Sequence, residues 1–235
     1  MELYEVMRTT PATRAFTDEP VDDEVLYRIL DHARFAPSGG NRQGWRVVVV
    51  KDPETRRQIR DLYVLGWREY MAHVDAGLTP FAPTDHGRWL GPAVDLERAR
   101  QVPRPNPFAD HLDKVPAVLV LVAQLGALAC LDNGLDRQSI AGGASIYPFA
   151  HNLLLAARNE GLGGVMTSVL ARQEPAVREL LSIPQGFALA GLLAFGHPER
   201  AVTRLSRRPV EEFTFVDRFG GAPFSAARRS VRETQ

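Results

Sequence analysis

The stretch 36–50, APSGGNRQGWRVVVV, joins a glycine-rich, nearly uncharged loop to a run of β-branched residues. Residues 46–50 predict a buried strand, because valine is favoured on packed, pleated surfaces. The loop at 36–45 is longer than a connection between a helix and a strand requires. Its residue types are typical of an ordinary turn and also of a loop that binds a ligand. The stretch therefore predicts one strand of a sheet and a candidate site beside it.

Helices are predicted on both sides of this strand. In 22–36 the apolar residues recur at the spacing of one helical face, and Pro37 ends the pattern. After the strand, Asp52 and Pro53 turn the chain into a helix from about residue 54 to residue 72. The predicted order is helix, loop, strand, helix.

The rest of the chain completes a sheet with helices around it. Further strands are predicted at 117–123, 163–170 and 186–196, and further helices at 2–9, 139–160 and 174–182. Ile140 and Ala144 are expected to face the core from the long helix. Four strands interleaved with helices predict a mixed α+β sheet. We expect a single domain over 1–235, with a C-terminal extension at 203–235.

The segment 75–113 lacks regular periodicity. It is rich in proline and contains several aromatic residues. A long stretch of this kind is usually a functional lid or partly disordered, and the aromatic residues argue against disorder. Two interpretations stay open: a lid-like insertion over a site, or an irregular surface excursion that its aromatic residues pack onto the core.

Composition argues against several classes of partner. Basic and acidic residues both total 28, so the net charge is zero and nothing indicates nucleic-acid binding. The single cysteine, Cys130, lies in an apolar run, so we expect a buried thiol and no intrachain disulfide. The N-terminus lacks a signal-peptide pattern, and no apolar run approaches the roughly 20 residues of a membrane helix. We therefore expect a cytoplasmic protein without a membrane partner.

Familiar catalytic motifs are missing from the sequence. It contains no P-loop and no G-x-G-x-x-G between a strand and a helix. The six histidines include no H-E-x-x-H, so we expect no metal site. Ser145 lacks the glycine pattern of a nucleophile elbow and suits the start of a helix. Only two of the 28 basic residues are lysines, so arginine is expected to hold any bound phosphate.

With these motifs absent, the loop at 36–45 offers polar groups that could bind a ligand. Gly39 and Gly40 let a ligand approach the backbone closely. Ser38 carries a hydroxyl, and Asn41 and Gln43 carry amides that both donate and accept hydrogen bonds. These groups suit a planar heterocycle edged with carbonyl and N–H groups. A loop that only turns needs one residue at positive φ and not this whole set.

Several motifs follow one another in a recognisable order. The segment 8–53 contains an R-x-F element, then PV and a helix, then APSGGNRQGW before a strand. NLLLAARNEGLGG (152–164), AGLLAFGHPE (190–199) and SRRPVEE (206–212) continue the series. In these motifs the sequence resembles the FMN-dependent nitroreductase family, over most of the chain outside 66–114.

The resemblance implies a three-layer α/β/α fold, with a mixed, mostly antiparallel sheet flanked by helices. It also implies a homodimer with two FMN sites at the subunit interface. By this analogy Arg14 and Arg207, with Arg208, hold the phosphate and ribityl end of FMN. The loop reaches the flavin from the other subunit, and the GLGGV turn lies along the ring. The residues so implied are Pro37, Ser38, Gly39, Gly40, Asn41, Gln43, Gly163 and Gly164.

The sequence departs from the family pattern at two places. Residues 10–12 are Thr-Pro-Ala, where the family often has Arg-Arg-Ser or Arg-His-Ser, so one arginine and one hydroxyl are absent. Arg8 and the threonines at positions 9 and 10 lie nearby and are candidates to substitute. Gly44 replaces the usual proline before Trp45, which is expected to loosen the loop.

The activity that the resemblance implies is a two-stage hydride transfer. NADH or NADPH passes hydride to N5 of FMN, and a nitroaromatic, quinone or enone acceptor is then reduced. Because the flavin performs this chemistry, no side chain is expected to act as a nucleophile. Arg14 is the candidate to stabilise negative charge on the reduced ring. Candidates for the substrate pocket are Trp67, Tyr70, Phe81, Trp89 and Phe108.

Two alternatives to this function stay open. One is a protein that binds or stores FMN without catalysis, which the altered residues at 10–12 and the proline-rich segment favour. The other is a flavin enzyme of a different reaction, such as reductive dehalogenation.

Overall fold

One antiparallel sheet forms the centre of the computed structural model, which describes residues 1–83, 85 and 87–225. Its four strands lie in the order β1-β2-β4-β3. All pairings between the strands are antiparallel, so the expected mixed sheet is antiparallel throughout. Within the described residues, the parallel contact is an isolated bridge between Ala12 and Gly164. The strands are β1 (Trp45–Val50), β2 (Ala117–Gln124), β3 (Gly163–Thr167) and β4 (Phe187–Gly196).

Seven α-helices accompany the sheet in the described part of the chain. The third begins as the sequence indicates, because the Asp52 carboxylate accepts a hydrogen bond from the Thr55 N–H and Pro53 lies in the first turn. The helices are α1 (Leu3–Thr9), α2 (Asp23–Ala33), α3 (Pro53–Asp75), α4 (Leu96–Gln101), α5 (Pro107–Asp110), α6 (Tyr147–Asn159) and α7 (Glu174–Leu180).

Helices cover both faces of the sheet, which gives three layers. Alternate residues of β2 point to opposite faces, as the two-residue period of a strand requires. Leu119 and Leu121 pack into a core with α2 and α6, whereas Val120 packs into a second core with α3, α5 and α7. All three side chains are fully buried, so β2 is an inner strand that contributes to both cores. The predicted α+β, three-layer fold is confirmed.

The prediction of one long helix at 139–160 is wrong for its N-terminal part. A 3-10 helix occupies Ala141–Ser145, and α6 begins only at Tyr147. Pro148 explains the break, since proline lacks an N–H and obstructs a helical turn before it. Ile140 lies outside the core with 74% of its surface exposed, and Ala144 is exposed as well.

The segment 75–113 is more ordered than its sequence indicates. It contains α4 and α5, which lie against α3. Phe108 and Ala109 of α5 are buried in the second core. The expected irregular insertion is therefore anchored to the second core at its C-terminal end.

The C-terminal extension contains little regular structure up to residue 225. It has a 3-10 helix at Val210–Glu212 and an isolated bridge between Phe215 and Pro223. Residues 226–235 of the predicted extension lie outside the described residues. Cys130 is exposed on the surface loop that follows β2, so the expected buried thiol is wrong. None of the described helices is long and apolar enough to cross a bilayer.

Candidate functional site

The loop at 36–45 has an unusual backbone. Gly40, Asn41 and Gln43 all have positive φ, at 60°, 53° and 50°. Positive φ is uncommon outside glycine and costs free energy, so strained residues of this kind occur mainly where function demands them. A simple turn would need only one such residue. The geometry therefore favours a ligand-binding loop over an ordinary connection.

Hydrogen bonds hold the loop in this conformation. The Gly39 N–H donates to Ser145 Oγ at 3.1 Å, and the Gln43 N–H donates to Ser38 Oγ at 2.9 Å. The Gln43 side-chain amide donates to Asn41 Oδ1 at 3.2 Å. One backbone donor expected to face a ligand, the Gly39 N–H, is thus already bonded within the protein. Gly39, Asn41 and Gln43 remain exposed.

Gly44 tightens this loop, contrary to the expected loosening. A Cβ at this position would lie 2.8 Å from the Ala127 Cβ, closer than side-chain atoms approach one another. The Gly44 carbonyl also accepts a hydrogen bond from the Gln124 N–H at 2.7 Å. Glycine is therefore required here because the turn after β2 packs directly against the loop.

Arg14 lies on a segment held against β3 and against the residues that follow β4. The Thr13 N–H donates to the Gly164 carbonyl at 2.9 Å, and the Glu199 N–H donates to the Ala15 carbonyl at 3.2 Å. Within the described part of the chain, the Arg14 side chain forms no hydrogen bond or ion pair, and the residue is exposed. The backbone is thus fixed while the guanidinium remains available to an external anion or carbonyl.

Tyr63 and Thr167 form a hydroxyl pair between α3 and the end of β3, and sequence reasoning missed both. The Tyr63 hydroxyl is 3.2 Å from Thr167 Oγ1, and the Tyr63 ring packs edge-on against Phe108. Burial raises the pKa of Tyr63, against opposing contributions from the Thr167 hydroxyl and the positive charge of Arg14. Tyr63 is therefore protonated at neutral pH and can donate to Thr167. No local pattern distinguishes Tyr63 from the other apolar positions of α3.

A cavity of about 300 Å³ adjoins Arg14. It separates the segment 14–18 from α5 and from the residues that lead into β2. Basic and acidic groups both reach it, so charge alone does not select one ligand. The residues that line it include Arg14, Phe16, Asp18, Phe108, His111 and Lys114.

Gly163 and Gly164 are buried at the start of β3. A Cβ on Gly163 would lie 2.7 Å from Thr13 Oγ1, and one on Gly164 would lie 2.6 Å from the Phe195 ring. Packing of Thr13 and Phe195 therefore accounts for both glycines without a ligand. Their predicted contact with the flavin ring stays a prediction.

The predicted arginines of the extension are both exposed. Arg207 Nη1 donates to its neighbour, the Ser206 carbonyl, at 2.7 Å. Arg208 forms no hydrogen bond or ion pair with any described residue. Their role in holding phosphate stays a prediction. By contrast, the hydroxyls of Thr9 and Thr10 already donate to the carbonyls of Glu5 and Val6 in α1. These hydroxyl protons are not available to a phosphate.

The five aromatic residues expected to line a substrate pocket fall into separate groups. Trp67 stacks on Tyr70 at 5.5 Å, and Phe81 lies 6.0 Å from Trp89. Phe108 is buried and is the member of the five that lines the cavity beside Arg14. Arg14 and Phe108 are thus brought together, whereas a pocket formed by all five residues stays a prediction.

A buried carboxylate connects the segment 75–113 to the site. Glu69 of α3 is fully buried and accepts hydrogen bonds from Arg100 Nε at 2.6 Å and Arg172 Nε at 2.9 Å. Gln173 donates to the same carboxylate at 3.2 Å. The Arg172 guanidinium also stacks on the Phe81 ring at 4.7 Å. Glu69 therefore joins α4 to the turn that follows β3, a link between residues too distant in sequence to predict.

Comparison with known proteins agrees with this fold. The model of the Nitroreductase family matches residues 7–197. Iodotyrosine deiodinase 1 of Rattus norvegicus is 30% identical over 214 residues, which cover 90% of this chain and 68% of that protein. The chain belongs to the nitroreductase family, as its sequence motifs predict.

Solved structures of two flavin-related proteins have the same fold. Oxidized iodotyrosine deiodinase bound to FMN and 3-iodo-L-tyrosine superposes with a TM-score of 0.64 at 22% identity, covering 93% of this chain and all of that chain (100%). The NADPH:FMN oxidoreductase of Vibrio harveyi complexed with NAD⁺ superposes with a TM-score of 0.62 at 20% identity, covering 92% and 77%. These similarities show a shared fold.

Proposed function

We propose that the chain is an FMN-dependent oxidoreductase that takes hydride from NADH or NADPH and reduces a flat, electron-poor acceptor. The observation that carries this proposal is the exposed Arg14 guanidinium, whose neighbours in the chain are fixed by backbone hydrogen bonds and which lines a cavity together with Phe108. Family membership and the FMN and NAD⁺ named in the related structures support it.

The residues present fit a flavin mononucleotide. FMN combines a planar ring edged with carbonyl and N–H groups and a phosphate monoester. The Arg14 guanidinium suits the carbonyl edge of the ring, and the strained loop at 36–45 presents exposed amide groups. Guanidinium groups suit the phosphate, and Arg207 and Arg208 are among the exposed arginines that are candidates for it.

Each group of the site has a role in this proposal. Bound FMN would supply the hydride-transfer chemistry, so the part of the protein is to orient the ring and tune its charge. Arg14 stabilises negative charge at the carbonyl edge of the ring. Tyr63 and Thr167 share one hydrogen bond, so one of the two hydroxyl protons stays free to donate to a ligand at the end of β3. Phe108 excludes water from the neighbouring cavity.

A homodimer completes the proposed site, because the loop at 36–45 reaches the flavin of the other subunit. Large apolar side chains exposed on this chain support an interface. Phe35, next to the loop, is 70% exposed, and Leu131 and Phe219 are 91% and 96% exposed. The cytoplasmic location stays a prediction from sequence.

Reductive dehalogenation is the second candidate reaction, and the similarity to iodotyrosine deiodinases favours it. In that reaction hydride from NAD(P)H replaces the halogen on an aromatic carbon, so a carbon–halogen bond breaks and halide leaves. The same flavin site serves both reactions.

The test is anaerobic addition of NADH or NADPH to the purified, FMN-loaded protein. Loss of the visible flavin absorbance, followed by recovery on adding an acceptor, supports the proposal. Parallel turnover of a nitroaromatic, a quinone and an iodinated phenol separates the two reactions. Bound flavin that neither nicotinamide reduces would instead favour a protein that stores FMN.

A further inference from the structure

A second, more basic cleft lies at the start of β3, away from the cavity beside Arg14. The segment 10–13 passes along one side of it, and the segment after β4 passes along the other. Arg158 and Arg200 both reach this cleft, and none of its lining residues is acidic. Thr10, Pro11, Thr13, Gly163 and Gly164 complete the wall nearest β3.

Arg158 is held in place before any ligand arrives. Its Nε donates to Thr9 Oγ1 at 3.1 Å, and its Nη2 approaches the Val202 carbonyl at 3.4 Å. These contacts fix the half-buried side chain and leave N–H groups on Nη1 unused. A guanidinium ordered in advance loses less conformational entropy when it binds an anion.

Arg200, unlike Arg158, is not held in place by contacts with the described residues. It is exposed and forms no hydrogen bond or ion pair with any other described residue. Its side chain can therefore close over an anion without breaking a contact in the protein. One fixed and one mobile guanidinium match the charge and the several acceptor oxygens of a phosphate monoester.

We propose that Arg158 and Arg200 form the phosphate subsite of the flavin site. They supply the positive charge that Thr-Pro-Ala at 10–12 does not provide. The inference rests on the proposed function, because FMN is the ligand.

The spacing along β3 fits this assignment. Gly163 and Thr167 are at opposite ends of the strand, about 13 Å apart at ~3.3 Å per residue. The phosphate then lies near Gly163, and the ring lies near Arg14, Tyr63 and Thr167. In this proposal Gly163 and Gly164 lie near the phosphate of FMN, and not along the flavin ring as the sequence resemblance implies.

The experiment compares FMN with riboflavin, which has the same ring and no phosphate. Dissociation constants for both are measured by flavin fluorescence with the full chain, with Arg158→Gln, and with Arg200→Gln. Arg57→Gln is the matched control, because Arg57 lies on the exposed face of α3, where it pairs with Glu54 of the same helix.

We expect each subsite variant to bind FMN about 10- to 150-fold more weakly, the loss of one charge-assisted contact. Binding of riboflavin should be unchanged, and Arg57→Gln should match the wild type. An equal loss for both ligands would show a structural role, and no loss would place the phosphate elsewhere; either result overturns the subsite. Because Arg200 has no bonded partner among the described residues, Arg200→Gln keeps the test decisive if Arg158→Gln fails to fold.

Failure of the proposed function gives a different result. In that case the wild type binds neither FMN nor riboflavin, and both proposals are overturned together. A wild type that binds both ligands with equal affinity overturns the phosphate subsite alone.

Discussion

Ser145 Oγ accepts a 3.1 Å hydrogen bond from the Gly39 N–H, although the two residues are 106 positions apart. The bond joins the strained loop at 36–45 to the 3-10 helix Ala141–Ser145. Ser145 is buried, so water does not readily replace this contact. A residue that suggested a helix start in the sequence therefore positions the candidate flavin loop.

Removing this hydroxyl should weaken FMN binding while the fold persists. A net hydrogen bond is worth about 1 kcal/mol, so Ser145→Ala is expected to raise the FMN dissociation constant about fivefold. Ser139→Ala is the control, because the Ser139 hydroxyl donates to Asp132 and not to the loop. Equal effects of the two variants on FMN affinity would contradict a specific role for Ser145.

Gly163→Ala should displace the segment that carries Arg14. The new Cβ would lie 2.7 Å from Thr13 Oγ1, so the segment must shift away from β3. We expect a loss of about 1–3 kcal/mol in the free energy of unfolding, measured by urea denaturation, together with weaker FMN binding. Gly126→Ala has no atom within 4 Å of the added methyl group and should leave both quantities unchanged. Normal FMN affinity in Gly163→Ala would show that the position of Arg14 does not depend on this packing.

Glu69→Gln should destabilise the protein far more than an exposed acidic variant. The substitution leaves Arg100 and Arg172 without their carboxylate, and breaking a buried ion pair typically costs about 3–5 kcal/mol. Because both arginines are partly exposed, we expect about 2–3 kcal/mol, with faster proteolysis within 75–106. Glu54→Gln, in an exposed pair with Arg57, should cost about 0.5 kcal/mol or less. Similar losses in the two variants would contradict a central role for Glu69.

Asp132 should make the stability of the protein depend on pH in the acidic range. Hydrogen bonds from the Ser139 hydroxyl, the Ile140 N–H and Arg137 hold the pKa of Asp132 well below its usual value of 3.8. A carboxylate with a lowered folded-state pKa stabilises the protein above its unfolded-state pKa, and this contribution is lost as the pH falls below about 4. The difference in Tm between wild type and Asp132→Asn should therefore be largest near neutral pH and shrink in acid. A difference that is constant with pH would contradict the assignment.

The sequence predicts the elements of the fold well, because each depends on local patterns. The valine run of β1, the capped start of α3 and the apolar strand β4 are all observed close to their expected bounds. The failures have physical causes. Pro148 shortens the helix, although apolar residues continue the helical pattern back to Ile140. Ala127 leaves no room for a side chain at Gly44, a contact that no local pattern shows.

The candidate site is predictable only in part, because local sequence patterns do not show contacts between residues that are distant in the chain. Arg14 and the loop at 36–45 belong to recognisable motifs. Tyr63 and Thr167 are 104 residues apart, and Glu69 and Arg172 are 103 residues apart. Neither pair leaves a local signal, since each depends on α3 packing against the turn after β3. Gly66 shows how close that packing is, because a Cβ there would lie 2.7 Å from the Val169 carbonyl oxygen.

Titration of the purified full chain with FMN, followed by visible absorbance and sedimentation, measures whether paired copies of the chain bind flavin. We expect a yellow protein that binds one FMN per chain and sediments as a dimer. A colourless protein that binds no FMN at saturating concentration would contradict it.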